Sequence, residues 1–590
     1  MTDRATDLAD DASAPDGDGV RPTDPPPQDP TDGDTHPDLR WDRADALGIG
    51  IVLAVLALPV IGLLRYQGPP MEEGFMLAFP QQILDGRLPH RDFLHLYGPG
   101  SLYVLAGVFK LFGTDLVVER LVGLLQHAVV AVSLYSLLRP WGRRLATAAG
   151  VVAVILLLMP MGLVAMAWNG ALAFATAGLA VGVAAARRPE GDRRAWPLLA
   201  VAGVCSGLAL LYRPDLVLAV GLGVAALAWP LPGPRRRPLL LGVFGALLLY
   251  VPHVIASGFG ASFRGMFVEP VFTLRPGRAL PVPPSWDRID GFLQRAGALR
   301  VTGWPLPMPG LSQQIFLWFW LVPLSIALVL AAAFVLWRRD RNSVRARAYL
   351  PVALFGAALI TQALQRPDTT HLAWVCCITF PLAMAAVAEL VPRAWHGAPR
   401  WVPDAAAVGA VALVFVVVVP FYPLRTYIDS VGQTFGRNRF GVPITNGDRT
   451  FYFGSEQAAG DAQKVTDELA RSSRPGERLV VGPTDLSRTN YSDAFFYYLF
   501  PDLVPGTRYI EMDPGIADAD DSVLADELRR NDWLILSAAA TEWSEPNTSA
   551  GGRSQAANQV VRDQYCPVLD TATFRLLRRC RDGAATASGG

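Results

Sequence analysis

Charge is scarce in this chain. Asp, Glu, Lys and Arg make up 18% of its 590 residues, and the two signs cancel to a formal net charge of +0. Such a chain lacks the basic surface that grips a phosphate backbone, which argues against nucleic acid as a partner. Lysine is confined to Lys110 and Lys464, so nearly all positive charge is arginine. Cysteine is rare as well, with 5 in the chain, and no His/Cys set has zinc spacing. No Ser-His-Asp pattern stands out, and no Gly-rich loop opens a C-terminal helix as a nucleotide site requires.

What is abundant is apolar. The chain is 51% hydrophobic with a mean hydropathy of +0.29, and runs able to cross a hydrocarbon core of about 30 Å recur along it. These features predict an α-helical polytopic membrane protein. Candidate spans are 46–64, 116–138, 145–165, 170–186, 196–211, 216–231, 238–257, 315–337, 349–364, 372–390 and 405–421, about eleven helices in all. The apolar stretch 101–112 is too short to span and reads as re-entrant or interfacial. Residues 1–45 are rich in Asp, Pro, Gly and Thr and cannot build a core, so they read as a disordered acidic tail.

Arginine fixes the sides. Clusters fall at Arg139/Arg143/Arg144, Arg187/Arg188/Arg193/Arg194, Arg235 to Arg237, Arg338 to Arg347 and Arg393/Arg400, always in alternate loops. The positive-inside rule puts those loops in the cytoplasm. The intervening loops 65–115 and 258–310 then face outward, as does everything from residue 422 onward. The membrane domain is expected over 46–421 and an extracytoplasmic α/β domain over 422–590. In that domain 478–482, 507–511, 533–537 and 573–577 have strand-like composition, while 456–472, 492–500, 522–530 and 555–564 look helical. Cys205, Cys376 and Cys377 lie in spans and read as small apolar residues. Cys566 and Cys580 share the outer domain, where oxidation is permitted; whether they pair is left open, because spacing does not give geometry.

Polar residues gather on the outer side. The first loop carries Glu72 and Glu73, then Arg91 and Asp92, then Tyr97. A carboxylate at a partly desolvated membrane surface can act as general base for a hydroxyl, although solvated loop carboxylates read equally from composition. Tyr212-Arg213-Pro214-Asp215 and Gln365-Arg366-Pro367-Asp368, the latter with His371, repeat an Arg-Pro-Asp triplet at outer helix boundaries. An arginine there can clamp a phosphate with its planar fork or can snorkel beside its own Asp. The proline-rich loop 258–310 carries Arg264, Glu269, Arg275, Trp286, Asp287 and Trp304, and its length is typical of a functional or disordered segment.

The acidic pair after the first span, the run ILDGRLPHRDF, then YGPGSLYVLAGVFKLFG and an arginine at the next helix start together resemble the GT-C superfamily of membrane glycosyltransferases. Within it the likeness is to the family 39-like branch of protein O-mannosyltransferases and lipid A aminoarabinose transferases. It is good from about residue 46 to 145 and looser to about 421. The resemblance implies a sugar donor carried on a polyprenyl phosphate, and an acceptor glycan, lipid or protein met at the outer face of the cell membrane. It places the catalytic acid at Glu72, with Glu73 beside it, and the donor-phosphate contact at Arg213, with Lys110, Arg366 and His371 as further candidates. No cofactor is required, although two adjacent carboxylates allow a divalent metal. Rival readings are a transporter or flippase of lipid-linked sugars, which calls for buried charge at mid-membrane, and a non-catalytic scaffold with an outer binding domain.

Overall fold

The computed structural model describes residues 41–66, 68–296, 307–390, 401–417, 423–539 and 543–580. Most of the predicted acidic tail, Trp304 and the Arg393/Arg400 cluster lie outside the described residues. Among those described, nine helices are long and apolar enough to cross a membrane: Arg43–Arg65, Leu116–Trp141, Arg143–Met161, Ala167–Ala186, Ala195–Tyr212, Gly233–Ser257, Leu311–Asp340, Val344–Gln365 and Thr369–Leu390. Two other predicted spans are the shorter apolar helices Pro214–Ala228 and Ala405–Val414. The first is cut short by Pro230 and Pro232, which cannot continue a helix. The architecture is therefore a polytopic α-helical membrane bundle followed by a small C-terminal α/β domain.

The first helix starts before the predicted span. Asp42 caps it by accepting the N–H groups of Ala44 and Asp45 at 2.9 and 3.1 Å. Asp45 is buried against Arg139 and takes the Tyr135 hydroxyl at 2.8 Å. These two acids belong to the fold, which moves the boundary of the predicted tail toward the N-terminus. The arginine loops meet at this end of the bundle. Glu389 accepts from Arg345 at 2.7 Å and from the Trp141 indole at 3.0 Å, and Arg235 donates to the Arg188 carbonyl at 2.9 Å.

The C-terminal domain stands at the other end. A hairpin of β1 (Val442–Asn446) and β2 (Arg449–Phe453) precedes a sheet of β3 (Arg478–Pro483), β4 (Val504–Pro505), β5 (Trp533–Ser537), β6 (Tyr565–Asp570) and β7 (Phe574–Arg579). The sheet order is β4-β3-β5-β7-β6, with β3 parallel to both neighbours and β7 antiparallel to both of its own. Cys566 and Cys580 are joined by a disulfide across the β6–β7 edge. The strand predicted over 507–511 is instead a turn. The Thr507 hydroxyl accepts the Tyr509 N–H at 3.0 Å, and Met512 adopts a left-handed conformation (φ +52°).

The domain is docked on the first loop. At Gly74 of the helix Pro70–Leu84, a Cβ would lie 2.8 Å from the Ala494 carbonyl carbon, so only glycine admits this approach. Leu94 N–H donates to the Arg508 carbonyl at 2.9 Å, and Arg87 reaches the Pro505 carbonyl at 3.2 Å.

Candidate active site

The helix Pro70–Leu84 opens with proline at its first position, where the missing N–H costs nothing, and places Glu72 and Glu73 in the first turn. The macrodipole favours carboxylates there. Glu73 turns toward the helix Leu116–Leu138. Arg120 grips both its oxygens, Nε to Oε1 at 2.6 Å and Nη2 to Oε2 at 2.7 Å, and a further donor bonds the Leu63 carbonyl at 2.7 Å. Both side chains of this pair are 1% exposed.

Glu72 is different. It is 9% exposed, and apart from its own backbone N–H nothing among the described residues hydrogen-bonds its carboxylate. Burial pushes its carboxyl above the ordinary carboxylate range, with Glu73 and Asp368 adding to the rise and Arg278 opposing it. The structure thus separates two acids that sequence reasoning took together. Both Glu73 oxygens are taken up by Arg120, whereas Glu72 has no side-chain partner among the described residues.

Arg213 is buried and bidentate to Asp215, with Nε to Oδ1 at 2.8 Å and Nη2 to Oδ2 at 2.7 Å. Gln362 also donates to Asp215, at 3.1 Å. The guanidinium lies 4.1 Å from the Tyr97 ring centroid and 5.1 Å from that of Trp168, a sandwich that leaves Nη1 without a hydrogen bond among the described residues. Gly98 makes the Tyr97 contact feasible, because a Cβ there would crowd the Leu211 backbone and sit 2.8 Å from the Tyr250 hydroxyl. Trp168 stacks on Trp374 at 4.8 Å, and Trp374 meets the His371 ring at 5.1 Å. Neither indole N–H of Trp168 or Trp374 has a partner among the described residues. Beside Pro214 an apolar groove of about 340 Å³ opens between Leu210, Val217, Leu247, Val254, Phe263 and Phe267.

The remaining predicted residues are placed otherwise. Arg366 is engaged on every side. It pairs with Glu545 at 2.6 and 2.8 Å and with Asp368 at 2.8 Å, and donates to the Arg278 carbonyl at 2.5 Å, tying the bundle to the C-terminal domain. His371 Nδ1 and backbone N–H both bond Asp368 Oδ1 at 2.9 Å. Burial alone would raise the Asp368 carboxyl, but His371 and Arg366 hold it down at about 2. Lys110 is exposed in the last turn of the helix Gly100–Phe112, at the end away from Gly100, which packs against Leu211. Arg91 and Asp92 form an exposed local ion pair at 2.8 Å.

Sequence reasoning missed the contribution of the C-terminal domain and of Arg278. Arg278 pairs with Asp513 at 2.6 Å, and its charge acts on Glu72, Tyr97 and Glu511. Tyr491 donates to Asp493 at 2.9 Å and lies in the field of Glu72, and burial pushes the Asp493 carboxyl up to about 6. Among the described residues no group of three or more His, Cys, Asp or Glu is arranged to hold a metal ion.

No family model matches the chain, and no curated protein does. Among solved structures it is similar to ArnT from Cupriavidus metallidurans bound to undecaprenyl phosphate. The identity is 15% and the TM-score 0.48, over 91% of this chain and 98% of that one. It is also similar to the archaeal oligosaccharyltransferase AglB from Archaeoglobus fulgidus in complex with an inhibitory peptide and a dolichol-phosphate, at 12% identity and a TM-score of 0.45. That match covers 90% of this chain and 74% of that one.

Proposed function

We propose that this protein is a membrane glycosyltransferase that moves a sugar from a polyprenyl-phosphate donor to an acceptor hydroxyl at the outer face of the cytoplasmic membrane. The N-terminus lies in the cytoplasm and the C-terminal domain outside. One observation carries the reading. A buried carboxylate bonded only by its own backbone N–H among the described residues, Glu72, lies at the same end of the bundle as Arg213, whose chain neighbour Pro214 lines an apolar groove. The first-loop resemblance to GT-C transferases supports it.

Glu72 accepts the proton of the acceptor hydroxyl as its oxygen attacks the anomeric carbon. The bond from that carbon to the phosphate oxygen breaks, and the lipid phosphate leaves with the electron pair. Arg213, through its free Nη1, steadies the charge that develops on the leaving group, and the groove beside Pro214 seats the first units of the lipid tail. Tyr97 and Trp168 hold the guanidinium flat. Arg366 and Lys110 have no direct part in this scheme, because one is saturated by carboxylates and the other is exposed in the last turn of its helix. His371, fixed by Asp368, flanks the aromatic stack and stays a candidate for the phosphate. Glu73 serves to lock the helix that presents Glu72. A divalent metal, if one takes part, would be held by Glu72 without Glu73.

A flippase reading would place ionisable groups along mid-membrane. The buried ion pairs Glu73–Arg120 and Asp45–Arg139 lie at helix ends instead, and His127, midway along its helix, faces the backbone carbonyls of Gly123 and Leu157.

The test is transfer by purified protein from a panel of polyprenyl-phosphoryl hexoses and pentoses. Glu72→Gln keeps volume but cannot take the proton, so transfer should fall by roughly 10²–10⁴-fold with folding intact. Glu72→Asp should fall less. A folded Glu72→Gln protein that transfers at the wild-type rate would refute the mechanism.

A further inference from the structure

The proposed reaction places the transferred sugar between two ends, the hydroxyl activated at Glu72 and the phosphate held at Arg213. One side chain of the C-terminal domain lies in the field of both ends. Leu96 and Met512, the chain neighbours of Tyr97 and Glu511, belong to one hydrophobic cluster; Glu511 feels the charge of Glu72, and Tyr97, whose ring covers the Arg213 guanidinium, feels the charge of Glu511. Glu511 is 6% exposed, and its Oε1 is wholly buried with no hydrogen-bond partner among the described residues; no bond reaches its other oxygen either. A buried acceptor left open is unfavourable unless something completes it. Its neighbour Asp513 is not in this condition, because Arg278 meets it at 2.6 Å. The backbone holds the arrangement. Met512, buried between the two acids, takes the left-handed conformation that non-glycine residues rarely adopt, and its N–H bonds the Tyr509 carbonyl at 3.2 Å.

We propose that Glu511 binds the transferred sugar, hydrogen-bonding a ring hydroxyl between the Glu72 and Arg213 ends, so that the C-terminal domain contributes to sugar selection. The assignment rests on the transferase reading above. The ligand chemistry follows from the group. A carboxyl offers little to an anionic phosphate, whereas a sugar hydroxyl both donates and accepts. Burial, then the charges of Asp513 and Glu72, favours the neutral carboxyl, which can donate as well as accept.

Binding is measured separately for undecaprenyl phosphate and for the polyprenyl-phosphoryl sugar that the wild-type protein transfers. Glu511→Ala should weaken the sugar-bearing ligand roughly 10-fold and leave undecaprenyl phosphate unchanged. Glu511→Gln, which keeps a donor and an acceptor, should recover most of the difference. Glu511→Asp, with the carboxyl withdrawn by one methylene, should show the same selective loss and serves if the alanine variant does not fold. Unchanged affinity for the sugar-bearing ligand in folded variants overturns the assignment. So does an equal loss for both ligands, which marks a structural role. Wild-type protein that transfers none of the sugars and gains nothing in affinity from any of them overturns the transferase reading, and this assignment with it.

Discussion

Adjacent carboxylates on a helix point about 100° apart. That angle sends Glu73 onto Arg120 and leaves Glu72 beside the C-terminal domain. The acidic pair was visible in the sequence, but the division of labour was not, because the partner that decides it lies 47 residues away. The pairing has an energetic signature. Removing one member of a buried ion pair strands the other charge in a low dielectric, at a cost of about 3–5 kcal/mol. Arg120→Gln and Glu73→Gln should each lower the thermal unfolding temperature in detergent markedly, while Glu72→Gln should leave it nearly unchanged. Replacing both partners with apolar residues, as in Glu73→Met with Arg120→Leu, should restore much of the loss. Single variants as stable as the wild type would mean that Glu73 is not held as described. Arg213 shows the same lesson: its triplet was legible, whereas the Tyr97 and Trp168 faces around it come from separate parts of the chain.

At the scale of elements, legibility followed local signals. The helix Glu456–Ser472 is read correctly because Ser455 caps it and its apolar residues repeat at helical spacing. The β1–β2 hairpin was overlooked, although Asn446-Gly447 is a turn signal and Gly447 takes φ +61°. The stretch 507–511 has strand composition, yet the Thr507 hydroxyl caps a turn and the sheet edge stops at Pro505. The contact between the Tyr491–Asp493 segment and the helix Pro70–Leu84 carries a pH dependence. Asp493 titrates near 6 in the fold against 3.8 unfolded, because burial disfavours its charged form. A raised carboxyl contributes stability that is full below the unfolded value and is lost as pH rises through the folded one. The domain should therefore lose stability between about pH 4 and pH 6, on the order of 3 kcal/mol in all. Asp493→Asn, which keeps the acceptor for Tyr491, should remove that slope and raise stability at pH 7. Wild-type and variant unfolding curves that run parallel across this window would show that Asp493 is not the cause.

At the scale of the whole molecule, the segregation of charge was the most legible feature, because each arginine cluster is read independently of the fold. The structure brings the described clusters together at one end, through Asp45 with Arg139, Glu389 with Arg345, and Arg235 with the Arg188 carbonyl. Arg213, Arg366 and the C-terminal domain stand at the other end, roughly 33 Å away by the rise of a 22-residue helix such as Val344–Gln365. The docking of that domain onto the first loop was not legible, since it depends on contacts between segments some four hundred residues apart, such as Arg87 with the Pro505 carbonyl (418 residues). In the proposal the positive-inside rule assigns the arginine end to the cytoplasm, and that assignment decides where the proposed chemistry takes place. Gly551 is exposed in the C-terminal domain, with no atom within 4 Å of the position its Cβ would occupy. Gly191, in the loop between Arg188 and Arg193, is equally open, and Asn342 is exposed among Arg338 to Arg347. Cys376 and Cys377 are buried and Cys566 and Cys580 are paired, so background labelling rests on the partly covered Cys205 and is set by the unsubstituted protein. In intact cells an impermeant thiol reagent should label Gly551→Cys but neither Gly191→Cys nor Asn342→Cys, and disrupting the membrane should expose both of the latter. Labelling of Gly191→Cys or Asn342→Cys from outside, with Gly551→Cys protected, would invert the molecule. Glu72, Arg213 and Glu511 would then face the cytoplasm, and the outer-face acceptor would have to be abandoned even if the sugar-transfer chemistry survived.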